Sequence, residues 1–249
     1  MNMNHRLYTA KVFVLLIAME LAPVTIATAT VEHGVTLDVL QEETLERIGA
    51  GKYWMRATEL SIEPEHFISE PSLGIGAIAY LFEGTVVSSD KGQSERRTTG
   101  EALTLSATSD RRYKNAGKDT VRVVVFEVLP ISRDNTKPTG DTGRIKLEKE
   151  IEVEAGRNKM ILVHGRIAKG GFAGEHTHKG NEMRVLLSGS LSMRMYERNE
   201  VHQQGDYFFE PANTHMMRVE GDKKRDISFI IFELGPSEDV DAVYHADGR

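Results

Sequence analysis

The chain has 249 residues, 40% of them hydrophobic and 27% charged, with 22 glycines and no cysteine. That apolar share is enough to bury one large core or two small ones and excludes disorder of the whole chain. A formal charge of −6 leaves no basic surplus for nucleic-acid phosphates or an anionic membrane, and the missing cysteines exclude disulfides, thiolate catalysis and sulfur-held metals.

Taken in chain order, Arg6 and Lys11 precede the apolar run VFVLLIAM, and Ala27 and Ala29 supply the small-residue pair of a signal-peptidase site. Residues 1–29 therefore read as a cleaved secretory signal, which predicts Thr30 as the mature N-terminus and a periplasmic or secreted protein. The run falls short of the roughly 20 apolar residues of a membrane span, so no membrane attachment is expected after cleavage. VTLDVLQEETLERI, from Val35 to Ile48, then reads as a short amphipathic helix or an extended arm ahead of the first barrel.

The remainder is organised by a repeat. AYLFEGTVV at 79–87 resembles RVLLSGSLS at 184–192; Gly84 and Gly189 lie 105 residues apart, as do Gly100 and Gly205, and Phe126 and Phe232 lie 106 apart. Between the copies, PISRDNTKPTGDTG has the composition of a linker. The boundaries expected are a first domain at 30–132, a linker at 133–144 and a second domain at 145–249. Within each copy, short apolar runs alternate and turn residues recur about every ten positions, which predicts an all-β antiparallel sandwich or barrel.

The chemistry gathers in the second copy. His176 and His178 sit two apart, so on a strand both rings project from one face, and Glu182 shares their parity. A straight strand would carry Glu182 about 13 Å from His178, too far to share a metal, but Lys179, Gly180 and Asn181 can turn the chain back. His215 follows Pro211 and Asn213 after the strand-like DYFFE. His66, His164 and His202 fall outside this pattern and read as satisfied or exposed histidines.

GGFAGEHTHKGNEMRVLLSG resembles the first motif of the cupins: a Gly, five residues, His-x-His, three residues, Glu, six residues, Gly, met here by Gly170, His176, His178, Glu182 and Gly189. The second cupin motif is matched by Gly205, Pro211, Asn213 in a Gly place and His215, one residue short and without its final Asn. The resemblance implies a metal held by His176, His178, Glu182 and His215. In the first copy the places of the two histidines and the glutamate fall on Pro71, Leu73 and Ala77, and the second motif reads Gly100, Ser106, Thr108, Arg111 and Asn115. The chain thus resembles a bicupin of two tandem jelly-roll barrels, the first degenerate and the second metal-binding.

Three neutral imidazoles and one carboxylate suit one divalent ion per chain, Fe(II) or Mn(II) by preference, with Ni(II) and Zn(II) allowed. A six-coordinate ion would keep two open positions, as oxygenase chemistry needs, so the expectation is an exported dioxygenase-type oxidoreductase acting on a small anionic or enolic substrate. Isomerase or lyase chemistry, and a binding or sensing role without turnover, are the alternatives that the resemblance leaves open. Arg184, two residues beyond Glu182, is assigned either to a substrate anion or to internal pairing with Glu182 or Glu210. Glu210 reads as a general base or supporting carboxylate, or as a solvated turn residue. The partner expected is a small molecule, with no nucleic acid, and the assembly allowed for is a homodimer.

Overall fold

The computed structural model describes residues 32–68, 74–90, 93–105, 112–131, 143–196 and 198–244. The expected signal, most of the linker, and the motif positions Pro71, Leu73, Ser106, Thr108 and Arg111 lie outside these residues. The first half contains β1 (Glu32–Ile48), β2 (Gly51–Ile62), β3 (Gly76–Glu83), β4 (Thr85–Asp90), β5 (Gln93–Thr98), β6 (Ala102–Thr104), β7 (Tyr113–Asn115) and β8 (Val121–Pro130). The second contains β9 (Arg144–Val153), β10 (Gly156–Ala173), β11 (His176–Thr177), β12 (Asn181–Ser188), β13 (Ser190–Met195), β14 (Asn199–Gln203), β15 (Tyr207–Glu210), β16 (His215–Glu220) and β17 (Ile227–Pro236), then α1 (Ser237–Tyr244).

These strands form two tandem jelly-roll barrels. In the first half a five-stranded sheet, β6-β3-β8-β2-β9, is accompanied by a three-stranded sheet, β5-β4-β7. In the second half the long β10 pairs with β17 and then, at Phe172 and Ala173, with β16, joining both layers into one curved sheet, β14-β13-β16-β10-β17-β12-β15. The repeat is visible in the backbone. Gly84 and Gly189 sit between β3 and β4 and between β12 and β13 with φ of 102° and 80°. A Cβ there would come within 2.6 Å of Val121 and 2.5 Å of Ile227 respectively, so conformation and space both demand glycine.

The leading strands are exchanged. β1 pairs antiparallel along β10 of the second half, from Glu32 opposite Ala173 to Ile48 opposite Gly156, while β9 pairs with β2 of the first half. Val35–Ile48 is therefore the extended arm and not the helix. Its apparent helical spacing comes from bulges near residues 33–35, 39–41 and 45–48, each of which breaks the period of two. Val35 packs into the second barrel, whereas Leu40, Leu45 and Ile48 pack between the barrels.

Alternation along the strands sorts side chains into three cores. Leu60, Ala77, Leu81, Val123 and Val125 fill the first barrel, and Ile161, Val163, Phe208, Phe229 and Ile231 the second. Between them, Met55, Phe126, Met160, Met183 and Phe232 form a shared core, with Phe126 and Phe232 stacked at 5.3 Å and 16°. At its rim, Tyr207 OH donates to Glu59 at 2.8 Å, and Lys146 Nζ lies 3.5 Å from the same carboxylate.

Candidate metal centre

The site is built where β11 turns into β12. Gly180 N–H donates to the buried Glu233 carboxylate at 3.0 Å, and a Cβ on Gly180 would stand 2.5 Å from that oxygen, so this turn admits only glycine. A second turn closes over the first: Asn213, at φ 62°, donates its N–H to His178 O at 2.7 Å. Asn is among the few non-glycine residues that tolerate this conformation, which accounts for its standing in a Gly place.

The turn brings Glu182 back to His178 as the sequence implies. His178 Nδ1 lies 2.7 Å from Glu182 Oε1, and His176 Nδ1 lies 2.7 Å from Gly174 O. His176 Nδ1 donates to that carbonyl, which leaves its Nε2 as an acceptor; this atom faces His178 Nε2 at 3.1 Å, and Arg184 Nη2 lies 3.2 Å from the same His178 nitrogen. Arg184 Nε donates to Glu182 Oε2 at 2.7 Å, Nη2 pairs with the same oxygen, and Nε lies 3.1 Å from Glu210 Oε1. Glu210 Oε2 is 3.2 Å from His178 Nε2. Glu182, Arg184 and Glu210 are all buried, so Glu210 is not a solvated turn residue. β15 alternates, turning Phe208 and Glu210 into the barrel and Tyr207 and Phe209 toward the shared core. With apolar residues on both parities, this orientation was not readable from the sequence.

Burial, reinforced by the neighbouring His178, pushes the His176 imidazole down to about 4, which keeps it neutral near pH 7. Burial would lower His178 too, but Glu182 and Glu210 outweigh it and hold the ring above its ordinary value. Burial acts to raise Glu182, yet Arg184 and His178 more than offset this and hold it low. For Glu210 burial wins: Arg184 and His178 pull down, Glu182 pushes up, and the carboxyl ends above its usual range.

A divalent ion fits this donor set. The two Nε2 atoms stand 3.1 Å apart, and roughly 3 Å is the spacing of adjacent ligands with bonds near 2.1 Å. Among the described residues, neither oxygen of Glu210 nor Oε1 of Glu182 accepts an aligned hydrogen bond, although all are buried. His178, Glu182 and Glu210 each offer a ligand atom within 4.8 Å of the others.

His215 is not brought to this cluster. In the β11–β16 pair it stands opposite Thr177, and Met216 stands opposite His176. Residues directly opposite share a face, so His215 takes the outward face of Thr177, whose Oγ1 lies 3.2 Å from its Nδ1, and its Nε2 lies 3.0 Å from Glu175. The buried place beside His176 goes to Met216. Of the other histidines, His164 Nε2 lies 2.6 Å from Ser228 Oγ, His202 stacks on Phe208 at 3.8 Å, and His66 is exposed near Pro64 O. Among the described residues the first half holds no comparable cluster of possible ligands.

Residues 163–230 match the family model of the cupin domain. Among solved structures the chain is similar to a salicylate 1,2-dioxygenase from Pseudaminobacter salicylatoxidans, at 10% identity and a TM-score of 0.50, covering 76% of this chain and 72% of that one. It is also similar to a protein from Pseudomonas aeruginosa described as glyoxylate-induced, at 11% identity and a TM-score of 0.52, covering 81% and 80%. At such identities the likeness is one of fold. No curated protein matches the sequence.

Proposed function

We propose that the chain is an exported, metal-dependent cupin enzyme of dioxygenase type, with one divalent ion per chain in the second barrel and a first barrel that is degenerate and serves as scaffold. The observation that carries this reading is the facing pair of His176 and His178 Nε2 atoms at 3.1 Å, with Glu210 Oε2 3.2 Å from the second of them. Imidazole and carboxylate donors without sulfur favour Fe(II) or Mn(II), with Ni(II) and Zn(II) allowed. When bound, such an ion supplies open positions at which a small enolic or anionic substrate and dioxygen meet. The protein's share is to keep His176 neutral, hold the carboxylates against Arg184 and line the surroundings with Phe208, Met216 and Phe229.

Protein purified from its native compartment is expected to carry one equivalent of iron or manganese and, as mass spectrometry would read, to begin at Thr30. Oxygen uptake should appear against a panel of enolic and phenolic substrates. Two equivalents of metal, or one that survives the combined His176→Ala and His178→Ala changes, overturns the single site. A second reading, a binding or sensing protein, is favoured by the placement of Arg184 between both carboxylates, which compensates the site internally. Tight ligand binding without turnover under any of the four metals would select it.

A further inference from the structure

We propose that Glu210, and not His215, completes the protein ligands of the metal in the second barrel. The assignment rests on the metal reading above and concerns which side chains reach the ion.

The first argument is parity. A motif one residue short shifts everything that follows to the other face of its strand. His215 consequently stands opposite Thr177 and turns to Glu175, with 39% of its side chain exposed, while the inward place opposite His176 is taken by the fully buried Met216. No rotation about the side-chain bonds of His215 carries its ring through the β11–β16 pairing to the other face of the sheet.

The second argument is the division of the carboxylate oxygens. Glu182 places Oε1 2.7 Å from His178 Nδ1 and gives Oε2 to Arg184, whose Nη2 lies 3.2 Å from His178 Nε2. Glu210 splits differently, with Oε1 toward Arg184 and Oε2 3.2 Å from His178 Nε2, the atom that also faces His176 Nε2 at 3.1 Å. Glu210 Oε2 is thus the carboxylate oxygen 3.2 Å from the nitrogen that a metal would take, whereas Glu182 Oε1, at 2.7 Å from Nδ1, serves to orient His178. Neither Glu210 oxygen is matched by an aligned donor among the described residues.

Titration calorimetry of Mn(II) into the metal-free mature chain tests this. Glu210→Gln is expected to weaken binding by more than about 100-fold, beyond the effect of losing an orienting partner, and His215→Gln to leave it unchanged. Electron spin-echo modulation of the Mn(II)-loaded wild type should count two imidazole nitrogens, and this measurement needs no variant to fold. Three nitrogens, or His215→Gln weakening Mn(II) as much as Glu210→Gln does, overturns the assignment. Wild-type protein that takes up no Mn(II), or a His176→Ala, His178→Ala variant that keeps full affinity, overturns the metal reading beneath it.

Discussion

The two barrels share a scaffold and differ in what fills it. Arg56 and Ile161 occupy the same place, opposite Glu127 on β8 and Glu233 on β17 respectively, and Ala77 and Glu182 stand opposite those same two glutamates. In the first barrel the small Ala77 and Ala79 leave room for Arg56, which pairs with Glu127 at 3.7 Å and Glu148 at 2.5 Å. In the second, Arg184 meets Glu182 and Glu210 from a different strand. A buried arginine among carboxylates is therefore common to both and is a way to fill a barrel, not by itself a sign of chemistry. The facing imidazoles distinguish the second barrel.

The largest expected effect comes from dividing the pair. A fragment from Asp141 to Arg249 loses β1 from the edge of β10 and bares Met160, Met183 and Phe232, so it should be insoluble or melt without cooperativity. A soluble, cooperative and fully metal-loaded fragment would break the view that the barrels need one another. Phe232→Ala, which removes half of the stacked pair in the shared core, should cost about 3–5 kcal/mol in denaturant unfolding. A loss below about 1 kcal/mol would show that the seam relaxes around the cavity.

Arg184→Leu leaves two buried carboxylates without their arginine, and in metal-free protein should cost about 3–5 kcal/mol, with Arg184→Lys recovering only part. If Arg184 also orients an anionic substrate, the Mn(II)-loaded Leu variant will bind anionic ligands more weakly at matched metal occupancy. Unchanged affinity removes that role and makes the two arginines equivalent.

Acid should separate the barrels too. His176 is held down to about 4 against 6.5 in an unfolded chain, so between those values the unfolded state binds more protons. Metal-free protein should lose stability as pH falls through that window, and His176→Gln should flatten the slope. His178, held above 6.5, contributes in the opposite sense: its stabilisation is full below 6.5 and fades as pH rises through its raised value. The smallest effect is expected for Tyr207→Phe, which removes the 2.8 Å bond to Glu59 across the seam and should cost about 1 kcal/mol in unfolding measurements.

The all-β architecture, the repeat register and the pairing of His176 with His178 were legible in the chain because period-two alternation, glycine spacing and strand parity are local properties. The turn at Gly180 that returns Glu182 to His178 was legible for the same reason. Other features depend on which strand lies beside which. The exchange of β1 and β9 is invisible in sequence, since an arm carries no mark of the barrel it will join, and its bulges imitate a helix. The outward turn of His215 depends on its pairing with Thr177, and a shift of one residue between neighbouring strands reverses a side chain without changing its identity. The burial of Glu210 follows from the packing of β15 against both cores, because a strand that is apolar on both parities does not declare which face it gives to the site.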